Sequence, residues 1–256
     1  MRYFIELSYK GTAYHGWQIQ PHENSVQAEL NNAIGEILQE TVMVVGAGRT
    51  DAGVHAKQMF AHFDTNKELN TSFVYKFNAV LPHDIVIHQI SKVAEDAHAR
   101  FDALSRSYEY HIWLGRTPFL TDLTWQLYQQ QLAIETMNKA AALLLEYTDF
   151  ECFSKVKTDV KTFNCNITEA FWVQEGSQLT FHITANRFLR NMVRAIVGTL
   201  IEVGQGKRSV EDFKNVIESK KRSEAGWSVP AQGLFLSEVK YDVTMGLVTQ
   251  KSSIKR

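Results

Sequence analysis

"RYFIELSYK", Arg2 to Lys10, decides the fold, because Tyr3, Ile5, Leu7 and Tyr9 share one side of an alternating run. A period of two with apolar residues on one side marks a half-buried strand. The pattern recurs at Arg106, Tyr108, Tyr110, Ile112 and Leu114. Behind the first strand lies "SVQAELNNAIGEIL", whose Val26, Leu30, Ile34, Ile37 and Leu38 form a helical stripe after the capping candidate Ser25. Behind the second, Ile134, Met137, Ala141, Leu144 and Leu145 repeat at helical spacing. Further strand patterns fall at Val42 to Val45, Met59 to Asp64, Ile167 to Gln174 and Gln178 to Thr184. The chain thus reads as two α+β halves of similar plan, 1–104 and 105–256, with antiparallel sheet and helices layered on one face. A cleft between the halves is the expected place for a site.

The composition narrows the class. At 256 residues, 45% hydrophobic and 21% charged, the chain can bury a sizeable core and has the make-up of a cytoplasmic globule. No apolar run reaches the ~18 to 20 residues of a membrane span, so no membrane partner is expected. Cys152 and Cys165 lack metal-site spacing and read as buried thiols. A formal net charge of -1 gives no global pull on nucleic acid, so a polyanion must be held by a local patch.

Two stretches carry chemistry. "GRTDAGVHA", Gly48 to Ala56, places Asp51 in a glycine-rich bend, where Gly46, Gly48 and Gly53 permit positive φ. Arg49 can pair with this carboxylate and hold it ionised, ready to act as nucleophile or base. Equally, Asp51 can serve an ordinary Asx turn or helix cap. In "ANRFLRNMVRAIVGTL", helical spacing puts Leu189, Met192, Val193, Ile196 and Leu200 on one face and Arg187, Arg190 and Arg194 on the other. Gly198 on the arginine side leaves room for another backbone. The arginines are either a phosphate-binding group or a solvated helix face. Tyr108 is either a stacking partner for an unpaired base or a core aromatic. His55 and His62 lack metal-ligand spacing, and no metal is expected.

Together these blocks resemble the tRNA pseudouridine synthase A family, in the family's order, over roughly residues 2 to 241. The resemblance is carried by "SYKGTAYHGWQ", "GAGRTDAGVHA", "NAVLPHDI", "HARFDALSRSYEY", "DFECFS", "NRFLRNMVRAIVG" and "AQGLFL". It implies that Asp51 is the catalytic aspartate, Tyr108 the base-contacting tyrosine, Arg49 the arginine beside the aspartate and Arg194 the arginine of the "MVR" segment. Lys10 departs from the aspartate often found there. The implied fold is two RRM-like, ferredoxin-like halves whose sheets meet at a central cleft. The implied reaction converts uridine to pseudouridine at positions 38, 39 and 40 of the tRNA anticodon stem-loop, without cofactor, in a homodimer. Two other readings stand beside it: a non-catalytic tRNA-binding module or RNA chaperone, and an N-glycosidic hydrolase. The hydrolase normally needs a second carboxylate that the loop does not offer. Lys155, Lys157 and Lys161 form a loop-like basic run of unassigned role.

Overall fold

A computed structural model describes residues 1–128, 130–156, 160–245 and 247. Lys157 lies outside them. In chain order the elements are β1 (Arg2–Tyr9), α1 (Val26–Leu38), β2 (Val45–Gly46), β3 (His55–Asp64), α2 (Ser72–Val80), β4 (Ile85–Val93), β5 (Ser105–Leu114), β6 (Trp125–Leu127) and α3 (Ile134–Ala142). Then come β7 (Ile167–Glu175), β8 (Gln178–Ala185), α4 (Met192–Gly204), α5 (Val210–Ser219) and β9 (Leu234–Lys240).

The architecture is α+β, as expected, but the sheet is not two separate antiparallel sheets. A single mixed sheet runs β4-β1-β3-β9-β5-β8-β7, with β2 added to β3 and β6 to β5. Its two antiparallel blocks join where β9, the last strand in the chain, runs parallel to the start of β3 through His55/Phe235 and Ala56/Leu236. On its other edge β9 pairs antiparallel with β5. Without β9 both strands would present unpaired backbone edges at the middle of the molecule.

Two hydrophobic clusters lie along this sheet. One gathers Tyr3, Ile5, Leu7 and Tyr9 of β1 with Val26, Leu30, Ile34 and Leu38 of α1. The other gathers Tyr110 and Ile112 of β5 with Met137 of α3 and most of α4. They exchange residues: Val54, before β3, packs in the second, and Leu236 and Val239 of β9 pack in the first. Tyr108 touches both.

Ser25 caps α1 as its sequence suggests, its side chain accepting from the Ala28 N–H. The strand expected at Val42 to Val45 shifts to Val45–Gly46. The reason is that α1 takes the backbone of Val44: its N–H donates to Asn31 Oδ1 at 2.9 Å and its carbonyl accepts from Gln27 Nε2 at 2.6 Å. α2, β4 and α5 have no counterpart in the sequence reading above. α5 carries a capping box between Ser209 and Asp212, a signal available in the sequence. Both cysteines are buried free thiols, and burial pushes Cys152 up to about 12 and Cys165 up to about 11.

Candidate active site

Asp51 stands in the loop between β2 and β3, and buried groups hold that loop on both sides. Thr50 Oγ1 lies 2.8 Å from the Tyr9 hydroxyl, and the Thr50 carbonyl accepts from Trp17 N–H at 3.2 Å. Past the aspartate, Gly53 N–H donates to the Tyr14 carbonyl and Val54 N–H to the Asp51 carbonyl, both at 3.2 Å. His55 Nδ1 then accepts from Gly11 N–H at 3.0 Å, while its Nε2 lies 3.1 Å from the Gln232 carbonyl. Of the three loop glycines only Gly53 has positive φ, 77°. Gly46 is needed for space, because a Cβ there would come within 2.5 Å of the Trp17 indole.

The carboxylate itself is left reachable, with 30% of its side chain exposed. Two guanidinium groups approach it from the other half of the chain. Arg190 Nε lies 3.8 Å from Oδ1, and Arg194 Nη1 lies 3.8 Å from Oδ2. These are ion pairs beyond hydrogen-bond length, so both oxygens keep lone pairs for another partner. The neighbouring Arg49, expected to pair with Asp51, is exposed and makes no ion pair among the described residues. The turn geometry that lifts Asp51 toward Arg190 and Arg194 leaves its sequence neighbour outside.

The arginine-bearing segment also differs from the expected helix. α4 starts at Met192, after Asn191 in the left-handed region at φ 65°, so Arg187 and Arg190 sit in the preceding loop. Nor is the arginine side of α4 a solvated face. Ala195 through Ile201 are all buried, because residues 225–230 cross over the helix. Gly198 admits them: a Cβ there would lie 1.9 Å from the Trp227 carbonyl oxygen. Arg222 holds this crossing segment through the carbonyls of Ala225 and Gly226 and through Ser228 Oγ. Arg194 in turn donates from Nε to the Val229 carbonyl at 2.7 Å. The crossing segment thereby aims Nη1 at Asp51.

Tyr108 comes to the same place on β5. Burial first, then the nearby Asp51 carboxylate, pushes its phenol up to about 12, so the ring is neutral at physiological pH. Phe188, from the arginine loop, meets it edge-on at 5.1 Å and 89°. Asp51, Arg190, Arg194 and Tyr108 therefore converge, whereas Arg187 makes no ion pair with the aspartate.

One residue on the Tyr108 face does more than its position suggests. Arg106 donates to four carbonyls: Ala103 at 2.9 Å, Asn186 at 3.0 Å, Ala47 at 2.9 Å and Arg100 at 2.5 Å. It ties the aspartate loop to the arginine loop and to the turn before β5. Its inward place beside Tyr108 is visible in the alternation; its distant acceptors, Ala47 and Asn186, are not. The support given by Tyr9, Trp17 and His55 is hidden for the same reason, since their partners lie far along the chain.

Asp51, partly exposed, thus lies between two guanidinium groups and a tyrosine, near where β9 joins the two blocks of the sheet. The family model for tRNA pseudouridine synthase matches residues 7–102 and 140–242. The chain is 53% identical over 246 residues to a tRNA pseudouridine synthase A of Porphyromonas gingivalis, covering 94% of this chain and 97% of that one. It is 50% identical to that of Parabacteroides distasonis, covering 94% and 96%, and 39% identical to that of Anoxybacillus flavithermus, covering 92% and 97%. The chain belongs to the tRNA pseudouridine synthase family.

Proposed function

We propose that this protein isomerises uridine to pseudouridine at positions 38, 39 and 40 of the tRNA anticodon stem-loop, with Asp51 as its catalytic carboxylate. The observation that carries the assignment of Asp51 is its position: partly exposed on a braced loop, with Arg190 and Arg194 each 3.8 Å from one of its oxygens. Isomerisation breaks the C1'–N1 glycosidic bond, turns the uracil and joins C5 to C1'. The proton on C5 is lost and one is gained at N1, so atoms and electrons balance without a cofactor.

A carboxylate serves this sequence either by attacking carbon or by taking a sugar proton. In both routes the negative charge on Asp51 is spent and restored within one turnover. Arg194, anchored by the Val229 carbonyl, positions the carboxylate and balances its charge. Tyr108 offers its ring to the base that has left the helix. Arg49, exposed next to the aspartate in the chain, enters the gap that the uridine leaves. Arg187 and Arg190 meet phosphates. The two halves, 1–104 and 105–256, act as RRM-like units, and the enzyme works as a cytoplasmic homodimer on tRNA without metal or cofactor.

The test is pseudouridine mapping of a tRNA transcript incubated with wild type and Asp51→Asn. Loss of at least about a thousandfold in rate, with tRNA binding retained, is expected for a residue that takes part in bond breaking. Conversion by the variant at the wild-type rate would refute the assignment, and free uracil in place of pseudouridine would favour a hydrolase.

A further inference from the structure

We propose that Phe101 is a stacking platform for an RNA base flanking the reactive uridine, an inference that rests on the tRNA reading above. Phe101 is 74% exposed, yet the backbone that carries it is held firmly. Arg2 Nη1 donates to the Ala97 carbonyl at 2.9 Å, and Ala99 N–H donates to His62 Nδ1 at 3.1 Å. The Tyr241 hydroxyl donates to the Ala99 carbonyl at 2.5 Å. Asp102 closes the turn by accepting His98 N–H at 2.7 Å and by donating its own N–H to the His98 carbonyl at 3.0 Å. On this fixed turn the ring is left largely in solvent.

Its setting matches a nucleotide. The His98 ring lies 4.2 Å from the Phe101 ring at a tilt of 37°, and the Arg100 guanidinium lies 5.7 Å from its centroid. One nitrogen of Arg106, Nη2, reaches both the Arg100 carbonyl and the Ala47 carbonyl. The Phe101 turn is therefore bridged to the loop that bears Asp51. Arg106 Nη1 also reaches the Asn186 carbonyl, at the base of the loop carrying Arg187 and Arg190. An exposed aromatic with the Arg100 guanidinium beside its ring joins a stacking face to a cation suited to phosphate. Asp102, the acid of the turn, is engaged by the His98 backbone. When a uridine leaves its helix, the adjoining base loses a stacking partner. The ring of Phe101 replaces it.

Wild type, Phe101→Ala and Phe101→Trp, all as the full chain, are compared for pseudouridine formation, tRNA affinity across a salt series, and mass in solution. Loss of one base stack predicts about a tenfold fall in tRNA affinity and in kcat/KM for Phe101→Ala, with an unchanged salt slope and mass. Phe101→Trp restores both. The inference is overturned if Phe101→Ala binds and reacts within twofold of wild type, if tryptophan fails to restore it, or if the alanine variant changes the oligomeric mass. That last outcome would assign the ring to contact between copies. Should wild type form no pseudouridine, the proposed reaction fails, while the binding series still judges Phe101.

Discussion

The loop from Gly46 to His55 and the loop from Asn186 to Asn191 bring opposite charges to one point, but they are built differently. The first is stitched to β1, Trp17, Tyr14 and Gly11 through buried groups; Thr50 and Tyr9 are both under a tenth exposed. The second presents Arg190 with 60% of its side chain in solvent. On the proposed reading the acid acts at one atom of the nucleotide and has to be held in advance, since small displacements cost rate. On the same reading a cation that meets phosphates can search. Arg194 stands between the two cases, with a fixed Nε and an Nη1 directed at the acid.

The comparison breaks most severely at Gly198→Ala. Its Cβ would strike the Trp227 carbonyl and push away the segment that anchors Arg194, so the fixed side of the site becomes loose. A stability loss of about 3 kcal/mol is expected, seen as a lower urea midpoint, with turnover falling further than tRNA affinity. Full stability in this variant would show that the crossing segment yields freely.

Acid tests a second brace. His62 accepts the Ala99 N–H, and burial, with help from His98 and Arg2, holds its pKa down at about 4, against Asp64 and Asp102, which act to raise it. The unfolded chain, with an ordinary histidine near 6.5, takes up a proton that the folded protein refuses. Stability from this group is therefore whole above pH ~6.5 and falls by about 3 kcal/mol at most as pH drops toward 4. Denaturation curves at pH 7.5 and 4.5 should differ less for His62→Gln than for wild type. An equal difference in both proteins would remove His62 as the cause.

Thr50→Val sharpens the contrast on a smaller scale. It keeps the side-chain shape but leaves the buried Tyr9 hydroxyl without its partner, at about 1 to 2 kcal/mol. Turnover should drop about tenfold with KM little changed, because the aspartate loses its brace and the RNA surface does not. A rise in KM alone would place Thr50 on the binding side. The smallest effect belongs to Arg190→Ala. Stability should stay within ~0.5 kcal/mol, while the salt slope of tRNA binding shrinks by about one. An unchanged slope would mean that Arg190 serves Asp51 and touches no phosphate.

Much of this was legible beforehand, for local reasons. The alternation of Tyr3, Ile5, Leu7 and Tyr9 and the Ser25 cap with its helical stripe predict β1 and α1, because period and capping are properties of neighbouring residues. Gly198 also reads correctly as a place for another backbone to approach. The start of α4 does not, since an apolar period continues back to Leu189 while Asn191 turns left-handed. Arg49 misleads in the same way: adjacency in the chain suggests a pair that the loop's turn prevents.

The chain by itself, then, determined the α+β class, the strands and helix that open each half, and the few residue types able to do the chemistry. Each of those follows from spacing along a short segment. Only the tertiary structure decided that β9 would join the halves into one sheet, that Arg190 and Arg194 would replace Arg49 beside Asp51, and that Arg106 would bind three loops together. Those outcomes depend on which distant carbonyls and strand edges remain unpaired when the chain closes on itself. A backbone group removed from water needs a partner wherever the fold supplies one, however far away that partner lies in sequence.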